Sequence, residues 1–260
     1  MTSVQTVQYM LKKNQKVYLV DVRGREEFNK VNIPGSINIP LHAVKTKTFL
    51  KSGPIVLIGK GFEYSRMEME IQKLSKRGFK ARVLNGGIYA WYHSKSPVAG
   101  DLIELNTYNK ITPLDFYTSK DFDNQLIVDV SKKQSKDLKM VFPYAVHVPA
   151  SRGMDSVVSV LSSDRINQSK IRVSKESKTQ IERYKKDNHR TAVIVNEDGE
   201  GYERVEKTLL KAGISNVYYL NGGAKGYKQF LHNLALSQRP RSDRIKTVGD
   251  CNKCSKKMEE

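Results

Sequence analysis

The stretch "VYLVDVRGREEFNKVNIPGSINIP" at residues 17–40 decides the fold, because the chain contains a second version of it. The counterpart is "QLIVDVSKKQSKDLKMVFPYAVHVP" at residues 125–149. Each copy has an apolar strand that ends in Asp-Val, a polar helix-like stretch, and a short second strand closed by proline. The sequence therefore predicts an internal repeat, with one structural unit in each half of the chain.

The two halves also end alike. The stretch "RGFKARVLNGGIYAWY" at residues 77–92 matches "KAGISNVYYLNGGAKGYK" at residues 211–228, and Leu-Asn-Gly-Gly occurs in both. Strands that alternate with helices favour a mainly parallel sheet covered by helices on both faces. We therefore predict an α/β fold built from two such units, with the sites in loops at the carboxyl ends of the strands.

One loop of this kind occurs in each half. In the first half, "VLIGKGFEYSR" at residues 56–66 predicts a buried strand, a tight loop and the first turn of a helix. In the second half, a strand at residues 192–195 leads into "NEDGEGYE" at residues 196–203. Such loops aim backbone N–H groups and a helix N-terminus at one point, which suits an anion or a thiolate.

The two loops differ in charge. An anion-binding site is predicted in the first loop, formed by Lys60, Gly61, Ser65 and Arg66. The second loop is acidic and would repel an anion. The predicted ligand is an anion such as sulfate, thiosulfate or phosphate, with a protein partner as the other possibility.

A linker is predicted between the units, because "SPVAGDLIELNTYNKITP" at residues 96–113 contains proline and glycine and Pro113 suits the start of a helix. We place the N-terminal unit at residues 1–106 and the C-terminal unit at residues 107–238. Residues 239–260 form a basic tail with a Cys-x-x-Cys motif.

Composition narrows the functional classes. The 260 residues carry a formal net charge of +18, which suggests attraction to polyanions, anionic lipid surfaces or acidic partners. Solvated lysine-rich helix faces are the favoured explanation, because no basic block is interleaved with aromatic residues. Specific nucleic-acid binding is therefore not predicted. The sequence has no apolar run of 18 residues and no signal peptide at its start, so no membrane span is predicted. The expected location is cytoplasmic for the chain as given, or periplasmic if a leader was removed.

These motifs resemble the rhodanese family in its tandem two-domain form. The first half has the family's Asp-x-Arg, Glu-aromatic, Ile-x-Gly, closing proline and Gly-Gly-x-x-x-Trp elements, here Asp21-Val22-Arg23, Glu27-Phe28, Ile33-Pro34-Gly35-Ser36, Ile39-Pro40 and Gly86-Gly87 with Trp91. Asn32 stands where the family usually has histidine. The second half matches more loosely, since Ser131 replaces the arginine and Tyr227 takes the tryptophan position.

The resemblance implies sulfur transfer from a sulfur-containing anion such as thiosulfate, through a persulfide on a cysteine that opens the active loop. By the same resemblance that position is Gly59 in the first half and Asn196 in the second, and Gly61 is the alternative to Gly59. Neither glycine nor asparagine is a nucleophile of the needed kind, and both cysteines of the chain lie in the last ten residues. Neither loop can form the family's intermediate.

Several residues are expected to be structural. Arg23 and Glu27 are predicted to pair across a helix turn, and Asp21 and Asp129 to cap the helix that follows each strand. The five histidines show no metal-binding spacing, so neither a metal site nor a cofactor is predicted within the units. Each histidine is expected at the surface or at a boundary.

Two functions remain open. The first is a catalytically degenerate binding or scaffold module. The second is a sulfurtransferase in which Cys251 or Cys254 of the tail carries the persulfide, since neighbouring lysines favour a thiolate. The same Cys-x-x-Cys pair also suits a redox dithiol, half of a zinc site, or a terminus with no function.

An insertion distinguishes the second half from the first. Residues 151–190 greatly exceed their counterpart at residues 41–54. A partner-docking element, a lid and a solvated surface excursion are the alternatives, and the surface excursion is favoured.

Overall fold

The protein is described from a computed structural model that covers residues 1–62, 64–119, 125–149, 153–162, 175–186 and 191–238. Two parallel sheets organise these residues. The first has the strand order β3-β1-β4-β5 and the second β7-β11-β10-β8-β9. Helices cover the sheets, as expected for the predicted α/β fold.

The first unit contains the following elements in chain order: α1 (Val4–Lys12), β1 (Tyr18–Asp21), α2 (Arg25–Lys30), β2 (Val31–Asn32), β3 (Ile37–Asn38), two 3-10 turns (Leu41–Thr46 and Thr48–Ser52), β4 (Pro54–Ile58), α3 (Tyr64–Ser75), β5 (Lys80–Val83), α4 (Gly87–His93) and β6 (Ala99–Gly100). The short strands β2 and β6 pair antiparallel outside the main sheet.

Helix α5 (Leu102–Leu105) follows β6 and packs against the first unit, where Leu105 lies in its core cluster. The second unit then contains β7 (Lys110–Ile111), α6 (Pro113–Ser119), β8 (Gln125–Asp129), α7 (Lys136–Val141), β9 (Val146–His147), α8 (Met154–Leu161), α9 (Lys175–Lys186), β10 (Thr191–Val195), α10 (Glu203–Lys211), β11 (Val217–Leu220) and α11 (Gly223–Ser237). Since β6 pairs within the first unit and β7 within the second, the chain passes from one sheet to the other between them. Pro113 is the first residue of α6, as its position predicts.

The strands β4 and β10 are the central strands that the apolar runs predict. In β4, Val56 and Ile58 pack in one hydrophobic cluster and Leu57 packs in another on the opposite face. In β10, Ile194 and Val193 likewise pack in different hydrophobic clusters on opposite faces of the strand. A strand buried on both faces needs a continuous apolar run rather than an alternating one, which explains why these two segments are recognisable in the sequence.

The insertion is not a solvated excursion where the structure describes it, so that prediction is wrong. Val157 and Val160 of α8 are fully buried, and Ile181 and Tyr184 of α9 lie in the same core cluster. The two helices cover one face of the second sheet and contribute to its core. The segments at 163–174 and 187–190 lie outside the described residues.

Candidate functional site

The carboxyl end of β1 is held by a buried ion pair. The side chain of Arg23 donates to both carboxylate oxygens of Asp21, with Nη2 to Oδ2 at 2.6 Å, and Nη2 also donates to the Val31 carbonyl at 2.7 Å. Asp21 also accepts the backbone N–H of Arg23 at 3.0 Å. The predicted pair between Arg23 and Glu27 is therefore wrong, because the arginine turns inward to the nearer and fully buried carboxylate.

The predicted capping role of the two aspartates is also wrong. The carboxylate of Asp21 accepts hydrogen bonds from Arg23. Helix α2 begins after Gly24, and the Gly24 N–H donates to the Glu27 carboxylate at 3.3 Å. In the second unit the cap of α7 is Ser135, whose hydroxyl accepts from the Leu138 N–H. The aspartates instead fix the turn that leaves each strand.

In the second unit a histidine takes the place of that arginine. Asp129 accepts the N–H and the hydroxyl of Ser131 at 2.9 and 2.5 Å, and its other oxygen lies 2.6 Å from Nδ1 of His147. Strand register makes the two sites comparable, since Asp21 stands opposite Asn38 and Asp129 opposite His147. The buried carboxylate has the same position in both units, and its basic partner changes from a residue in the turn after the strand to one on the neighbouring strand.

The first loop lies against the second unit. Phe62 is buried in the second unit's hydrophobic cluster and meets the ring of Tyr218 edge-on, with centroids 5.7 Å apart. Gly61 has φ +124°, and a Cβ built on it would lie 1.9 Å from the Tyr218 hydroxyl oxygen and 2.7 Å from the Gly86 carbonyl oxygen. No side chain fits at this position without displacing the second unit.

Lys60 is the cation of the first loop that the structure describes in full. Its Nζ lies 2.8 Å from Oε1 of Glu27, and both side chains are 30% exposed. The carboxylate reduces the charge that Lys60 offers to an anion. The side chains of Ser65 and Arg66, on the first turn of α3, lie outside the described part of the structure, so the anion site remains a prediction.

Gly59 and Asn196 occupy the same place relative to the Gly-Gly turn. The Gly59 carbonyl accepts the N–H of Ile88, and the Asn196 carbonyl accepts the N–H of Ala224, at 3.0 and 2.9 Å. Ile88 and Ala224 each follow the second glycine of the Asn-Gly-Gly motif. The motif therefore anchors the first residue of both loops, which is the position that resemblance assigns to the nucleophile.

The second loop is closed by the residue at that position. Oδ1 of Asn196 accepts the N–H of Gly199 at 2.6 Å, and Nδ2 donates to the carbonyl of Glu200 at 2.7 Å. The N–H of Glu200 is taken by the Asp198 carboxylate at 3.1 Å. Side chains of the loop therefore use the amides that an anion would need.

Beneath this loop the hydroxyl of Tyr202 accepts the N–H of Asn196 at 3.1 Å. Burial, partly offset by the backbone hydrogen bond to Asn196, raises the pKa of Tyr202 well above its usual range. The phenol stays neutral at physiological pH and cannot act as a base there. The described side chains of the loop include no thiol, and one carboxylate oxygen, Oε2 of Glu197, is buried without a hydrogen-bond partner.

A second contact between the units is a polar cluster formed by Tyr89, Asn109 and Glu206. The hydroxyl of Tyr89 donates to Oε1 of Glu206 at 3.1 Å, and Nδ2 of Asn109 donates to both the Tyr89 hydroxyl, at 2.9 Å, and Glu206. Burial, with Glu206 next in importance, raises the pKa of Tyr89 far above its usual range. These bonds hold α4 against α10 of the second unit, and the Phe62 contact holds the first loop against it.

Replacing Asn196 with alanine is expected to lower the free energy of unfolding by about 1 to 2 kcal/mol, because the N–H of Gly199 loses its acceptor. Urea unfolding measures the loss, and hydrogen exchange of the Gly199 amide should become faster. Asn221→Ala is the matched control, since that side chain is exposed at the end of β11. Unchanged exchange at Gly199 in Asn196→Ala would contradict the closed loop.

The sequence reasoning missed His147 and Tyr218. A signal for His147 was present, because the repeat aligns "SINIP" with "AVHVP" and the Arg23 position with Ser131. In the second half, serine replaces the arginine and histidine replaces Asn38, so the alignment of the repeats could have suggested that the histidine takes over the arginine's role. No local signal marks Tyr218, whose role depends on contact with a loop more than 150 residues away.

Cys251 and Cys254 lie outside the described residues. Within the described residues no three His, Cys, Asp or Glu side chains are grouped to hold a metal ion. Also in the described part of the chain, no helix is both long and apolar enough to cross a membrane.

Comparison with known proteins gives a family. Residues 3–94 and 112–230 match the model of the rhodanese-like domain. No curated protein matches the chain. A solved protein of Bacillus halodurans is 26% identical over 38% of this chain and 75% of its own, with a TM-score of 0.34.

Two further solved structures are similar. A rhodanese-related protein from Thermoplasma volcanium is 22% identical over 38% of this chain and 97% of its own, with a TM-score of 0.33. Thiosulfate sulfurtransferase from Pseudomonas aeruginosa is 16% identical over 88% of this chain and 42% of its own, with a TM-score of 0.34. Because these TM-scores are low, the family assignment rests on the two segments matched by the domain model.

Proposed function

This chain belongs to the rhodanese-like domain family, and on that premise we propose that it is a catalytically degenerate tandem member that works as a binding or scaffold module. The two matched segments give it two rhodanese-like domains. It differs from a sulfurtransferase of the usual kind because neither loop contains a cysteine.

The observation that supports the proposal most strongly is the closed second loop. A persulfide mechanism needs a thiolate at the first loop position and free amides around it. Asn196 occupies that position, and its side-chain oxygen binds the Gly199 amide. The acidic residues around it disfavour an anionic sulfur donor as well.

The first loop supports the same reading through sterics. Gly61 and Phe62 are buried and lie against Tyr218, so the loop serves as a contact between the domains. Gly59 has no side chain to attack with. Lys60, the loop cation that the structure describes in full, is partly exposed, and Glu27 balances its charge.

The alternative function is sulfur transfer through the tail. The chain has two cysteines, both in the tail, so a thiolate of Cys251 or Cys254 would attack the outer sulfur of thiosulfate and release sulfite. Cyanide would then take that sulfur as thiocyanate and regenerate the thiolate. Helix α11 ends at Ser237, so 13 residues separate it from Cys251, and a random coil of that length would have an r.m.s. reach of roughly 20 Å.

Thiocyanate formation from thiosulfate and cyanide separates the two functions. For the binding module we expect no turnover by the full chain above that of its Cys251→Ser/Cys254→Ser variant, and no sulfur adduct by mass spectrometry. Turnover that disappears in this variant, with the adduct on the tail peptide, would replace the proposal by the alternative. Turnover that persists without cysteine would refute both.

A further inference from the structure

A groove lies on the first domain, apart from both loops. It has a volume of about 600 Å³ and runs between the 3-10 turn Leu41–Thr46 and helix α3. Val22 and Pro40, from two of the first-half motifs, contribute to its walls, whereas no described lining residue belongs to the interdomain contacts described above. Its lining combines a basic rim with an apolar floor.

The rim is strongly cationic. Lys45 extends from the 3-10 turn, and Lys73, Lys76 and Arg77 come from the end of α3 and the turn after it. Among the lining residues that the structure describes, the single carboxylate is that of Glu70, which pairs with Lys73 at 2.6 Å. Within the described structure, Lys45, Lys76 and Arg77 have no carboxylate within ion-pair distance.

The floor is apolar and adaptable. Met67 and Leu74 of α3, which are 1% and 3% exposed, form its base, and the partly buried Val22 and Leu41 add apolar surface that a ligand can reach. Methionine repacks readily around different side chains. A ligand that fills this groove therefore needs an apolar group for the floor as well as negative charge for the rim.

The length of the groove favours an extended chain. From Met67 to the end of α3 at Ser75 the helix rises about 12 Å, at 1.5 Å per residue. An extended peptide covers this length with about four residues, at roughly 3.3 Å each. A compact phosphate or sulfate would meet the rim but leave the apolar floor uncovered.

We propose that this groove is the docking site for an acidic segment of a partner protein, an extended stretch with Asp or Glu side chains and at least one apolar anchor. The proposal rests on the binding-module function and gives that module a class of partner. Single-stranded nucleic acid fits less well, because the described lining residues include no Phe, Tyr or Trp on which bases could stack.

Fluorescence anisotropy of the full chain tests the proposal. The probe is a fluorescein-labelled nonapeptide of Glu and Asp with two central leucines. Lys76→Glu with Arg77→Glu should weaken its binding at least about tenfold at low ionic strength. A second probe with the leucines replaced by serine should bind several-fold more weakly to the unchanged protein, because it cannot use the floor.

The control must separate the groove from the overall charge of +18. Lys207→Glu with Lys211→Glu makes the same charge change on exposed positions of α10 in the other domain. This variant should bind the probe within about twofold of the unchanged protein. Equal weakening in both variants would overturn the proposal, since attraction would then follow net charge alone.

Other outcomes also decide against it. Absence of probe binding up to millimolar protein, or equal affinity for the leucine and serine peptides, would overturn the proposal. So would tighter binding of an oligothymidylate that only the groove variant loses, because the occupant would then be nucleic acid. Concentration-dependent self-association lost in the groove variant would assign the groove to a second copy. None of these results bears on thiocyanate formation, which tests the proposed function separately.

Discussion

Replacing Arg23 with methionine is expected to lower the free energy of unfolding of the first domain by about 3 to 5 kcal/mol. The carboxylate of Asp21 is fully buried and receives three side-chain contacts from Arg23, the shortest at 2.6 Å. Without the guanidinium, a buried negative charge has no countercharge, and the Val31 carbonyl loses a donor. The penalty arises mainly from the charge that is left behind.

Trp91 makes this measurement specific to the first domain. It is the only tryptophan of the chain, it is 1% exposed, and its ring nitrogen donates to the Pro97 carbonyl at 2.9 Å. Urea unfolding followed by its fluorescence therefore reports the domain that contains Arg23. Arg25→Met, at an exposed position on α2, is the matched control and should change stability by less than about 0.5 kcal/mol.

A second variant distinguishes the charge from the loss of packing. Asp21→Asn with Arg23→Met removes both members of the pair and should recover part of the lost stability. A loss below about 1 kcal/mol in Arg23→Met alone would show that the pair does not stabilise the strand end. A double variant less stable than the single one would show that the arginine acts through packing.

The fold was largely predictable because its strongest signals are local. The apolar runs of β4 and β10 are buried on both faces, and the repeat placed each before its loop. The α3 helix was readable from Met67, Ile71 and Leu74 at helical spacing. The insertion was misjudged because Ile181 and Tyr184, the buried residues of α9, are isolated within a basic stretch that indicates an exposed helix.

Of the candidate site, the sequence predicted only the missing nucleophile. The absence of cysteine from both loops can be read from the sequence, whereas the hydrogen bonds and contacts made by the residues that replace it depend on the fold. Asn196 closes the second loop through atoms three and four residues away, which sequence spacing permits but does not require. Arg23 was assigned to Glu27 because i,i+4 spacing is visible in a sequence and relative burial is not.

The first loop gives the second large expected effect. Gly61→Ala should lower the free energy of unfolding by about 2 to 5 kcal/mol, because strain at positive φ and overpacking act together. The new Cβ would lie 1.9 Å from the Tyr218 hydroxyl oxygen and 2.7 Å from the Gly86 carbonyl oxygen. Urea unfolding monitored by Trp91 fluorescence measures the change.

Gly35→Ala separates the two causes. Gly35 has φ +81°, and a Cβ built on it meets no atom within 4 Å, so this variant reports backbone strain alone. We expect a loss of about 1 kcal/mol there. A loss as large as that of Gly61→Ala would show that the first loop suffers no steric conflict.

Tyr218→Phe tests whether the conflict lies between the domains. Removing the hydroxyl oxygen should make Gly61→Ala less damaging by at least about 1 kcal/mol in the double variant, while the contact with the Gly86 carbonyl prevents full recovery. Additive effects would mean that the loop does not contact the second domain. A coupled result would mean that the loop is stabilised as an interdomain contact, and such a contact requires the glycine that excludes a thiol at this position.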